Sequence, residues 1–122
     1  MKAIGFVEPG PIDRADALIE REWPDPVAAG HDLLVRVEAV SVNPVDTKVR
    51  GGTRLADGEF RVIGYDAAGV VVAVGADVTL FRPGDRVFYA GAIQRPGSNA
   101  ELQLVDERIV GPAPKSLSSA EI

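Results

Sequence analysis

The sequence predicts a mainly β fold, a partly open β-barrel with one or two short helices, and three observations predict it. Apolar segments are short and are broken repeatedly by 13 glycines and 9 prolines among 122 residues, which suits many brief strands joined by turns. Leu33 to Val42 alternates, with Val35, Val37, Ala39 and Ser41 on one side and Arg36, Glu38, Val40 and Val42 on the other. Ala67 to Val74 is apolar and β-branched with almost no alternation, the composition of a strand covered on both faces.

The elements follow in order. Lys2 to Val7 is an apolar stretch closed by Pro9-Gly10-Pro11, an opening strand and its turn. Ala15 to Trp23 fits a short helix or a strand and is read as a strand, ended by Pro24 and Pro26. Leu33 to Val42 is the long central strand. Asn43 then supplies an N-cap, Pro44 the first helical residue and Asp46 a negative charge near the helix start, which predicts one or two helical turns over Pro44 to Arg50. Gly51 and Gly52 are read as the stop. Gly64, Gly69 and Gly75 around the Ala67 to Val74 strand mark bends or close backbone approach. Pro83-Gly84-Asp85 is a turn, followed by strands at Arg86 to Tyr89, Ala100 to Val105 and Arg108 to Val110. Ser118 and Glu121 form a capping-box pair, the opening of a helix. The expectation from it is that a longer protein continues beyond residue 122.

Composition narrows the function. With 46% hydrophobic and 25% charged residues, the chain has the balance of a globular domain. The net charge is −5 and the arginines are scattered singly, so a nucleic-acid or anionic-membrane surface has no support. There is no cysteine and one histidine, His31, which removes thiolate catalysis and the sulfur- or multi-histidine zinc sites. The apolar runs are too short to span a bilayer as a helix, and the start MKAIGFVEPG has no signal-peptide core. A cytoplasmic location is the expectation.

Five blocks carry a resemblance: the MKAIGF start, VRVEAVSVNPVDTKVRGG, GYDAAGVVVAVGADV, FRPGDRVFYAG and GSNAELQLVDERIV. Together they resemble the N-terminal GroES-like domain of the medium-chain dehydrogenase/reductase superfamily. Within it they are similar to the zinc-independent quinone oxidoreductase branch and to relatives labelled zinc-binding alcohol dehydrogenases. In zinc-dependent members a cysteine stands where this chain has Asn43, and a Gly-His-Glu signature where it has Gly64-Tyr65-Asp66. Amide and phenol oxygens bind zinc far less well than thiolate and imidazole, so no metal is expected.

The resemblance implies an oxidoreductase that passes hydride from NADPH to a quinone or to the β-carbon of an α,β-unsaturated carbonyl. Without a Lewis acid, hydrogen-bond donors must stabilise the developing oxyanion. Tyr65, Asn43 and Lys48 are the catalytic candidates: Tyr65 as a direct donor, Asn43 through its amide, Lys48 by its charge near the mouth of the cleft. Asn43 and Pro44 are the cofactor-contacting candidates, and Asp46 is expected to fix the loop. Asn43 and Asp46 are equally explained as helix-capping residues, Tyr65 as a packed aromatic, Lys48 as a solvated helix residue and Tyr89 as core or pocket wall. A zinc-free alkenal or enoyl reductase, or an alcohol dehydrogenase-like enzyme of the same superfamily, shares the chemistry. A co-chaperonin-like binding module shares only the barrel, and Glu8 to Asp13 is too short and proline-rich for the mobile loop it would need.

No glycine trio in the chain has the G-x-G-x-x-G/A spacing of a dinucleotide fingerprint. The resemblance therefore implies that residues 1–122 are the N-terminal portion of the catalytic domain, with the Rossmann domain and the C-terminal return segment lying outside them. The isolated chain is expected to bind NADPH poorly, to turn over nothing, and to form homo-oligomers or exchange strands through edges left open.

Overall fold

A computed structural model describes all residues, Met1–Ile122. It consists of β1 (Lys2–Phe6), β2 (Ile19–Glu22), β3 (Asp32–Ser41), α1 (Pro44–Gly52), β4 (Arg61–Val62), β5 (Asp66–Val74), β6 (Arg86–Tyr89), β7 (Leu102–Asp106), a 3-10 turn (Glu107–Ile109) and β8 (Val110–Pro112). A three-stranded sheet has the order β2-β1-β4 and a five-stranded sheet the order β7-β3-β5-β6-β8. All their pairings are antiparallel. The residues before β7 sew the sheets together: Ile4 N–H donates to Asn99 O at 2.8 Å, and Gly97 and Asn99 N–H donate to Val62 and Ile63 carbonyls at 2.9 and 2.8 Å. The result is the partly open, mainly β GroES-like fold that the sequence predicts.

β3 is the long strand of the larger sheet, pairing with both β5 and β7. Its inward residues Leu33 and Val35 meet Ala67, Val71, Val87, Tyr89 and Val105 in the principal core. Burying such side chains is worth about 1.5–3 kcal/mol each, so this cluster holds the sheet's curvature against the entropy of ordering it. The curvature is visible as register shifts in the β3–β5 ladder between Leu34 and Val35 and between Val37 and Ala39. Opposite them, a Cβ on Gly69 would collide with the Arg36 carbonyl. Glycine is what allows the two backbones to approach there.

Four expectations need correction. Gly51 and Gly52 are the last residues of α1 and not its stop; Thr53 ends the helix in extended conformation while its N–H still donates to Val49 O at 3.0 Å. The exit thus requires no left-handed glycine. In the segment read as the strand Ala15 to Trp23, only Ile19–Glu22 pairs, because a turn at Arg14 to Ala17 precedes it. The apolar run of β5 is covered on both faces only in its first half: Ala67 and Ala68 are buried, whereas Val72 is 39% exposed. Finally, Arg108 and Ile109 lie in the 3-10 turn and the strand begins at Val110. The Asp106 carboxylate takes the Arg108 N–H at 2.9 Å and grips its guanidinium at 2.9 and 2.7 Å, folding the chain back before pairing resumes.

Candidate functional site

The end of β3 and the start of β5 lie side by side, with Ser41 paired to Asp66. This pairing delivers the loop residue Asn43 to the root of β5. The Asn43 Nδ2 group donates to Asp66 Oδ2 at 2.8 Å and to the Ser41 carbonyl at 3.3 Å. Both partners are acceptors, so the nitrogen side of the amide must face them. Asn43 Oδ1 turns toward the start of α1, where Asn43 and Asp46 form a capping box.

Asn43 thus holds the N-cap position of α1 in a capping box, while its Nδ2 reaches the cleft corner. The helix start is also closed by Asp46, whose Oδ2 takes the Asn43 N–H at 2.7 Å, and by the Asp46 N–H on the Asn43 carbonyl at 3.0 Å. Thr47 Oγ1 adds a bond to Pro44 O at 2.8 Å. Pro44, with φ fixed by its ring, stands at the first helical turn. Asn43 thus serves both the cap and the cleft corner, with Asp46 completing the cap.

Ser41 and Asp66 form the polar end of an open cleft of about 620 Å³. Val40, Ala68, Phe88 and Ile109 give it apolar walls, and the C-terminal residues Ser119, Ala120 and Ile122 border it. The tail is tied down by Ser119 Oγ donating to Glu38 Oε2 at 2.6 Å, a bond that holds the Glu38 carboxyl below its ordinary range. Phe88 and Val40 are partly exposed on the outward face of their strands. The period-2 pattern could have found both, since each is an apolar residue on the side opposite the core. The tail has no such signal.

The sequence candidates do not form one cluster. Asn43 and Pro44 stand beside the polar end of the cleft. Lys48 is exposed on α1 and makes no ion pair. Tyr65 is only 2% exposed and packs with Phe6, Val49 and Ile63 rather than lining the cleft. Its hydroxyl makes no well-formed hydrogen bond within the chain, and the Arg61 guanidinium stands beside it. Burial pushes the phenol's pKa up, the Arg61 guanidinium opposes that shift, and the Asp46 carboxylate adds to it. Gly64 explains the inward turn: its φ is +90°, and a Cβ there would strike the Asn99 and Ser98 side chains. Tyr89 is core, its hydroxyl donating to Gln103 Oε1 at 2.9 Å, and burial raises its pKa far above the ordinary tyrosine range.

At the three positions Asn43, Tyr65 and Asp66, the arrangement presents an amide N–H, an inward phenol and a carboxylate already engaged by that N–H. A zinc ion needs converging lone pairs, preferably from sulfur or imidazole nitrogen. This donor set does not fit it. What remains is a hydrogen-bonding corner beside apolar walls.

The model of the alcohol dehydrogenase GroES-like domain matches residues 29–115. A zinc-type alcohol dehydrogenase-like protein of Staphylococcus aureus is 48% identical over 99% of the chain and 36% of its own length. A crystal structure of a protein provisionally named a zinc-dependent alcohol dehydrogenase, from Rhizobium etli, superposes with a TM-score of 0.93 at 63% identity, covering 98% of this chain and 34% of that one. The quinone oxidoreductase of Escherichia coli, solved in complex with NADPH, does so at 0.84 and 25% identity over 98% and 35% of the two chains. The chain thus spans about a third of the length of these relatives. Sequence blocks, sheet topology and these matches agree: the chain belongs to the alcohol dehydrogenase GroES-like domain family of the medium-chain dehydrogenase/reductases, in its quinone oxidoreductase-like branch.

Proposed function

We propose that this chain forms one wall of the active-site cleft in a zinc-independent, NADPH-dependent oxidoreductase that reduces a quinone or an α,β-unsaturated carbonyl. The observation that carries the reading is the Asn43–Asp66 hydrogen bond, which stands where zinc-dependent relatives hold metal ligands and opens onto apolar walls. A bound nicotinamide supplies the hydride. The likeness to an NADPH-complexed quinone oxidoreductase supports that cofactor.

The residues present fit one face of such a ring. Val40, Ala68 and Phe88 offer apolar surface for a flat heterocycle, and the Asn43 amide beside it would orient the nicotinamide carboxamide. Pro44 keeps the loop in the conformation that presents that amide. Asp66 anchors the amide and so acts as a positioning residue. Lys48, free on the exposed side of α1, adds positive charge at the approach to the cleft without touching the reacting atoms. Tyr65 acts from within the core. The remainder of the nicotinamide cofactor is held by a Rossmann domain outside these residues, since no glycine fingerprint lies among them. The 122-residue chain alone is inactive on this reading.

The test is steady-state NADPH oxidation with a quinone by the protein carrying this chain joined to its Rossmann domain. Asn43→Ala is expected to lower kcat/KM by about tenfold to a hundredfold, the range for losing one positioning hydrogen bond in a transition state. Unchanged kinetics in that variant would remove Asn43 from the site. Measurable turnover by residues 1–122 alone would defeat the two-domain reading.

A further inference from the structure

Two buried polar atoms close to the cleft's polar corner are left without partners. Tyr65 Oη is one and Asp46 Oδ1 the other, in residues 2% and 6% exposed. A buried carboxylate oxygen or hydroxyl with no hydrogen bond costs about 1–3 kcal/mol or more, so a fold that orphans two of them in one region calls for a group that satisfies both. Their placement is shared. Asp46 and Val49 are the two buried residues of α1 and, three apart, lie on one face of the helix. Val49 packs in the same cluster as Tyr65. Besides burial, two charged groups act on the Tyr65 phenol: the Arg61 guanidinium, which favours its ionisation, and the Asp46 carboxylate, which disfavours it.

We propose that one water molecule binds between Tyr65 Oη and Asp46 Oδ1, making Tyr65 a positioning residue for the cleft. The chemistry is complementary: the phenol donates to the water, and the water donates to the carboxylate. Asp46 then has both oxygens engaged, one on the water and one on the Asn43 N–H at 2.7 Å. Asn43 in turn holds Asp66 at 2.8 Å. A continuous chain thus runs from the core hydroxyl to the cleft corner, and the hydroxyl sets how firmly the Asn43 amide is aimed. The role given to Asn43 rests on the reading above; the water site does not.

A crystal structure of the chain at a resolution that shows ordered solvent tests the site. One water within hydrogen-bond distance of both atoms is expected in the wild type and none in Tyr65→Phe. Amide hydrogen exchange by NMR tests the coupling. In Tyr65→Phe the Asn43 N–H is expected to exchange about tenfold faster, the loss of one buried hydrogen bond, while Val35 and Val71 in the principal core keep their wild-type rates. Absence of the water from the wild type, or an unchanged Asn43 rate in a folded Tyr65→Phe, would overturn the proposal. Should that variant not fold, a nuclear Overhauser effect between the Tyr65 hydroxyl and a long-lived water in the wild type decides the matter. None of these readouts uses NADPH, so failure of the oxidoreductase assay leaves the water site standing and removes only its catalytic purpose.

Discussion

Asn43 joins three parts of the molecule through one small side chain. Its amide binds a carboxylate on β5 and a carbonyl on β3, while its main chain opens α1. Asn43→Ala is predicted to cost about 1.5–3 kcal/mol of stability, as for a hydrogen bond to a charged group, measured by urea denaturation. Asn43→Asp is predicted to cost more at neutral pH, because it sets a second carboxylate against Asp66, and to recover as acid removes the repulsion. The sequence showed that position 43 begins a helix, through Asn43 as N-cap with Pro44 and Asp46. It did not show that the same side chain also reaches β5, since Asp66 lies 23 residues away and meets it only through the Ser41–Asp66 register. Tyr65 was ambiguous for a related reason. Gly64 at φ +90° breaks the alternation that would otherwise decide which way the next side chain points.

Among the elements, the 3-10 turn after β7 carries the most concentrated polar contact. Glu107 is 1% exposed and accepts from Thr79 N–H at 3.0 Å, Leu80 N–H at 2.8 Å and His31 Nδ1 at 2.7 Å. It ties the loop after β5 and the loop before β3 to the end of β7. The His31 bond, with the two backbone donors, holds its carboxyl below the ordinary value of 4.5. A carboxyl depressed on folding stabilises the fold fully above its unfolded pKa and loses that contribution as pH falls through the lower folded value. Thermal midpoints measured from pH 7 downward should therefore fall below about pH 4.5, and Glu107→Gln should flatten that part of the profile while lowering the neutral-pH midpoint. A wild-type midpoint constant through that acid range would contradict the account. The β3–β5 ladder makes a separate prediction. Gly69→Ala drives a methyl into the Arg36 carbonyl and is expected to cost about 1–3 kcal/mol, as overpacking does. Close approach at this glycine was legible from its place inside an apolar strand; the carbonyl it meets was not, because that depends on the shifted register.

For the whole molecule, the fold class was legible because so many features agreed: short strands, turn residues and few helix starts all specify one curved sheet system. The cleft was not, because its wall combines residues of β3, β5 and β6 with a C-terminal tail whose Ser118–Glu121 pair does not show where the chain packs. The sheets also end in open edges. β2 is guarded by Glu20, Arg21 and Glu22, and β8 contains Pro112, both devices that discourage pairing with another chain. β7 has neither proline nor a run of charge. We propose that self-association of this chain proceeds there, and sedimentation at rising concentration should reveal species heavier than the monomer. We propose that the cleft works without metal, and chelation tests this most directly. In the protein joined to its Rossmann domain, exhaustive dialysis against a chelator should leave NADPH-dependent quinone reduction unchanged, with added zinc giving no gain. Activity lost on chelation and restored by zinc would contradict the account.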